Sequence, residues 1–205
     1  MQRKKMFTLN LSGIAPDLSF LIFSAIFLVG IILGCLLVGR LDSVLNDATD
    51  KFNSFFDIRH NDGFLNIFKN SVMTILPYYI FIFLCGTSVI GCVITPLILL
   101  IYGFSYGGFA GYLYFTYKLD GIMFNVLVLI PSVLISVVGM LLLTREAFSF
   151  SKLLSGICIK SNKPVNIYTN FKHYSIKSLV FMIFAAISVI FDIGMSLLFI
   201  DFFEF

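Results

Sequence analysis

Asp192 is the one acidic side chain lying well inside an apolar run of this chain, about eight residues before the end of the stretch Ser178–Ile200. A carboxylate at the centre of a membrane helix costs roughly 2.5 to 3.5 kcal/mol on insertion scales, and less towards an interface. Such a residue needs a partner or a task. No lysine or arginine lies inside an apolar run, so the expected state is a protonated carboxyl bonded to a Ser, Thr or Tyr. A proton or ion relay would need several such groups, and one is present.

Other reactive side chains are sparse. His60 stands with Asp57 and Asp62, a spacing able to hold a metal only on a rigid support, whereas Asn61-Asp62-Gly63 reads as a turn. His173 is alone in a basic segment. Cys35, Cys85 and Cys92 fall in apolar runs and Cys158 in a basic one. They read as small packing residues, with Cys85 and Cys92 on one helix face. There is no H-E-x-x-H, no G-x-S-x-G and no phosphate-cradling glycine loop. No catalytic, cofactor-binding or metal-ligating residue is assigned, no cofactor is expected, and the chain is read as no enzyme.

The patterned residues point to association instead. Gly103-x-x-x-Gly107-x-x-x-Gly111 lies in one apolar run, and Gly30-x-x-x-Gly34 in another. Small residues four apart let helix backbones approach closely, which matters where lipid cancels the hydrophobic drive between helices. Internal packing is the first reading, with homo-oligomerisation or partner docking through the same groove as the alternative. Gly107-Gly108 is also a place where the helix can loosen. Leu41, Val44, Leu45, Ala48, Phe52, Phe55 and Phe56 lay one apolar stripe along a helix. It reads as a helix lying on the membrane surface or over the bundle, or as a docking surface for an extracytoplasmic partner. Phe148, Phe150, Leu153, Leu154 and Ile157 alternate with Lys152 and Lys160, as in segments that meet anionic headgroups.

These patches are carried by membrane helices. Between Lys69 and Lys118 lie forty-eight residues, Asn70 to Tyr117, with no charged side chain. One helix of that length would extend about 72 Å, against a hydrocarbon core of about 30 Å. The run must fold back on itself, with the turn expected at Gly91 to Pro96, where Pro96 would end the incoming helix. Charge-free runs give about five spans: 18–38, 71–94, 97–117, 122–143 and 178–200. The fold class is an all-α polytopic bundle with added amphipathic interfacial helices, since lipid leaves backbone groups no outside partner and no barrel alternation is present. Residues 1–205 are read as a single membrane domain, with an outer amphipathic loop 39–70 and a basic loop 144–177.

Composition agrees, at 59% hydrophobic and 12% charged, where soluble domains carry about 25% charged residues. No nucleic-acid partner is expected, for want of a basic, aromatic-interleaved groove; membrane lipid is the expected one. The basic residues set the orientation. Loop 144–177 is net +5 and loop 39–70 is net −1, placing the N-terminus, with Arg3, Lys4 and Lys5, in the cytoplasm of a bacterial cell and the C-terminus outside. The run from Leu18 reads as a retained signal anchor. With no tryptophan in the chain, Tyr78, Tyr79, Tyr112, Tyr114 and Tyr117 are expected to form the interfacial belt.

The whole arrangement resembles the stage II sporulation protein M family. The likeness is sharpest where Asn70 precedes the punctuated hairpin Gly86, Gly91, Pro96, Gly103, Gly107 and Gly111, followed by Leu129-Ile130-Pro131. Many non-sporulation members follow that proline with His-Gly and then an acid; here stands Ser132-Val133-Leu134-Ile135-Ser136, closer to the sporulation branch. The resemblance implies a non-catalytic anchor that recruits two extracytoplasmic peptidoglycan-degrading proteins during engulfment in spore formation. Docking would fall on the outer loop, through Leu41, Leu45, Phe52, Phe55 and Phe56. The competing expectation is a membrane subunit of an ABC-type exporter. Single cysteines at positions 53 and 160, in a background without native cysteines, should be labelled from opposite faces of the membrane; labelling from one face contradicts the orientation.

Overall fold

The computed structural model describes residues 18–40, 46, 49–51, 53–55, 64–159 and 167–199. The described elements are α1 (Leu18–Val38), α2 (Phe64–Gly86), α3 (Gly91–Phe124), a π-helical turn (Asn125–Leu129), α4 (Ile130–Ile159) and α5 (Ile167–Phe199). Among the described residues there is no strand. Residues 49–51 and 53–55 are helical as well.

Among the described residues four helices are long and apolar enough to cross a membrane, and one of them runs from Gly91 to Cys158. That helix is bent back on itself at Lys118, whose φ of 49° and ψ of −116° are not helical. Pairs across the bend prove the reversal. Cys92 N donates to Ser151 Oγ at 2.8 Å, and Tyr106 OH to Asn125 Oδ1 at 3.0 Å. The two arms are therefore antiparallel, and the described helices make five passes. The dihedrals of Lys118 are those of the first central position of a type II′ turn, which glycine dominates. Gly121 makes the bend possible, because a Cβ there would come within 2.7 Å of the Leu113 carbonyl carbon.

Passes alternate in direction. Ser71 meets Asp192 and Tyr174 meets Phe83, so α2 and α5 are antiparallel. Tyr79 reaches the Ser136 carbonyl and Gly86 lies against Ala147, so α2 and α4 are parallel. The most extensive contact joins α1 to α3. A Cβ on Gly30 would lie 2.5 Å from the Leu100 carbonyl oxygen, and one on Gly103 2.5 Å from that of Phe27. One on Gly107 would sit 2.7 Å from Ile31 Cα, and one on Gly111 3.1 Å from Cys35 Cα. Partners therefore rise together in steps of one turn. The helices are parallel, backbone against backbone, over the length of both glycine ridges. Gly107 and Gly108 stay within regular helix and are buried.

Several boundaries differ from the sequence reading. The turn between α2 and α3 is at 87–90, not at Gly91 to Pro96. Gly91 opens α3 and Pro96 lies inside it. Ser151 sets this turn from α4: its hydroxyl accepts from Cys92 N and donates to the Ser88 carbonyl at 2.7 Å. Cys85 and Cys92 consequently sit on different helices. The run 148–157 continues α4 and packs its apolar face on the bundle: Phe150 stacks on Tyr174 at 4.9 Å between ring centres. At about 45 and 50 Å, α4 and α5 outrun a bilayer core, and their overhang carries Arg145, Lys152, Lys172 and Lys177. Lys177 and Glu146 pair there at 2.8 Å. Of the expected tyrosine belt, Tyr79 and Tyr112 are buried between helices. The N-terminal bases, the C-terminal five residues, and His60, Asp57 and Asp62 lie outside the described residues.

The glycine contact gives a direct test. Gly107→Val should lower the thermal unfolding midpoint of the purified chain by several degrees, the overpacking cost being about 1–3 kcal/mol or more against backbone. Gly194→Ala, where a Cβ meets nothing within 4 Å, should leave the midpoint unchanged or raise it. Equal effects from both would contradict the packing. Lys118→Gly should raise the midpoint, because it releases a backbone strain of about 1–3 kcal/mol; a drop would show that the bend does not need that conformation.

Candidate functional site

A cavity of about 760 Å³ opens in the half of the bundle nearest Lys118. Four of the described helices line it. From α2, Asn70, Ser71, Thr74, Tyr78 and Phe81 recur on one face, and from α3 come Tyr102, Ser105, Tyr106 and Phe109. The start of α4 adds Ser132 and Val133, and α5 adds Asp192. Asp50 and Lys51 of the helical residues 49–51, with Ser54 and Phe55 of 53–55, complete the lining. Met73 and Phe81, 65% and 58% exposed, mark where the cavity reaches the flank of the bundle.

Polar side chains are held in place by contacts between helices. Ser71 Oγ donates to Asp192 Oδ2 at 2.5 Å, and both residues are buried. Ser188 Oγ donates to the Ser132 carbonyl at 2.9 Å, fixing α5 to α4. Tyr102 is buried with its ring 4.9 Å from that of Tyr78, in an edge-to-face contact. Behind the wall, Tyr106 OH donates to Asn125 Oδ1, and Asn125 Nδ2 donates to Tyr114 OH. Asn125 sits in the π-helical turn, where Ile130 N bonds to Asn125 O across five residues. Pro131 follows immediately and supplies no N–H, so the ladder has to shift there. The site is thus acidic in balance: among the lining residues, Asp192 and Asp50 face one lysine, Lys51.

The structure places the sequence-derived candidates unevenly. Asp192 is at the cavity, bonded to Ser71. Gly30, Gly34, Gly103, Gly107 and Gly111 lie together in the α1–α3 contact, away from the cavity lining. Phe55 packs against Phe109 and Phe124, with ring centres 5.6 and 6.2 Å away. Leu41, Leu45, Phe52 and Phe56 lie outside the described residues. His173 is exposed on α5, and the four cysteines are unbridged. Sequence reasoning missed Ser71, Tyr102, Tyr106 and Asn125. A signal for the last existed, since Asn125 is the one amide in the run 122–143, and a buried amide must find partners.

The family model of stage II sporulation protein M matches residues 23–191. That stretch exceeds four fifths of the chain, contains both glycine ridges and most of the cavity lining, and ends one residue before Asp192. No curated protein and no solved structure matches the chain. This chain, whose described residues form an apolar helical bundle with the glycine-punctuated central hairpin inside the matched stretch, belongs to the stage II sporulation protein M family.

Proposed function

We propose that this chain is a non-catalytic membrane scaffold that recruits extracytoplasmic peptidoglycan-degrading proteins during engulfment in spore formation. The family match over residues 23–191 carries the reading. Physical features support it. Parallel α1 and α3, locked by backbone contact, make a stiff platform, and the arm Gly91–Tyr117 is tied to α4 through Cys92 and to the π-helical turn through Tyr106. The segment that bears the docking stripe is fastened to that platform through Phe55, whose ring meets Phe109 and Phe124. The rest of the stripe lies outside the described residues; in this reading it meets the partner, to which the wall-cutting groups belong. In this orientation the Lys118 end of the bundle is extracytoplasmic.

Crosslinking in intact cells followed by purification should recover wall hydrolases with the wild-type chain. Phe52→Asp with Phe56→Asp should reduce that recovery at least tenfold while the chain stays in the membrane at normal abundance. Unchanged recovery from the double variant would overturn the docking stripe. Recovery of an ATPase in place of hydrolases would favour the exporter reading.

A further inference from the structure

The cavity has no part in a pure anchoring role, and its chemistry is specific. Its volume of about 760 Å³ falls in the range of small-molecule sites, roughly 300–1,000 Å³. Its walls are rich in aromatic rings, with Tyr78, Phe81, Tyr102, Tyr106 and Phe109 all lining it. Asp192 lies among them, and Ser71 fixes the carboxyl through its Oγ. Aromatic rings and a carboxylate in a low-dielectric pocket are the groups that hold organic ammonium ions, the rings through their quadrupoles and the acid through its charge.

Other ligand classes fit less well. An anion would meet two carboxylates and a single lysine. A bare metal ion asks for several oxygen ligands converging at about 2–2.6 Å, and among the described residues no three His, Cys, Asp or Glu side chains cluster. A purely apolar guest would set hydrocarbon against a wall that carries Asp50, Lys51, Asn70, Ser105 and Asp192.

We propose that this cavity is a binding site for an amphiphilic organic ammonium ion. Its cationic head sits among the tyrosines beside Asp192, and its apolar part leaves past Met73 and Phe81 towards the lipid. The head can be the amine of a membrane lipid or a free organic cation. Both present the same chemistry to the site, and the inference stands apart from the scaffold reading.

The test uses the full chain in nanodiscs of phosphatidylglycerol, with radiolabelled benzyltrimethylammonium as the probe. Saturable binding is expected, weakened at least tenfold by Asp192→Asn and by Ser105→Trp. The second variant fills the cavity from α3 and leaves the carboxyl in place, so it decides the matter even where Asp192→Asn fails to fold. Adding phosphatidylethanolamine distinguishes the sources: displacement of the probe assigns the site to a lipid headgroup, and undiminished binding assigns it to a free cation. Binding that survives Ser105→Trp, or benzoate binding as tightly as the cation, would overturn the proposal.

Discussion

Backbone-to-backbone contact between α1 and α3 is the constraint on which the rest of the bundle is built. In lipid there is no hydrophobic gain from bringing two apolar helices together, so association depends on close van der Waals approach and on hydrogen bonds. Gly30 and Gly34 on one side and Gly103, Gly107 and Gly111 on the other remove the side chains that would hold the helices apart. Carbonyl oxygens of Phe27 and Leu100 then lie where a Cβ would otherwise be. Weak Cα–H···O contacts add to such an approach. Because the register rises in the same sense on both helices, α1 and the first arm of α3 must cross in the same direction. α2 has to return between them.

The polar contacts act at the opposite scale, one bond at a time, and hold the remaining helices. Ser151 ties the 87–90 turn to α4, Tyr79 ties α2 to the Ser136 carbonyl, and Ser188 ties α5 to Ser132. Tyr174 closes the other end, giving a hydrogen bond to the Phe83 carbonyl at 2.9 Å and stacking on both Phe83 and Phe150. Each bond uses a hydroxyl that would be costly to leave unpaired in an apolar medium. The cavity occupies the part of the bundle where the rings of Tyr78 and Tyr102 and the Asp192–Ser71 pair stand in place of aliphatic packing.

What could be seen in the residues alone was whatever depended on spacing along the chain. The charge-free run Asn70–Tyr117 required a hairpin, and glycines four apart pointed to helix contact. Where elements end was less visible, because ends are set by contacts made elsewhere. The α2–α3 turn lies where a serine sixty residues downstream can satisfy its backbone groups, and Pro96 is accommodated inside α3. Helices α4 and α5 continue past the apolar runs because Phe150, Phe171 and Tyr174 pack together beyond them. Tyr79 looked like an interfacial ring and is instead a buried donor, a role defined by Ser136 on another helix. The cavity was hidden for the same reason, since Asp192 alone shows no pocket until α2, α3 and α4 are placed around it.

Oxidative crosslinking in native membranes tests the α1–α3 contact most directly. A Cβ on Gly108 lies 3.7 Å from Val38 Cγ2, so a chain with Val38→Cys and Gly108→Cys as its only cysteines should form an intramolecular disulfide readily. A chain pairing Val38→Cys with Leu97→Cys should not, because Leu97 lies near the far end of α3. Crosslinking of the second pair and not the first would mean that α1 and α3 are antiparallel, crosslinking of neither that they lie apart, and either result would contradict this architecture.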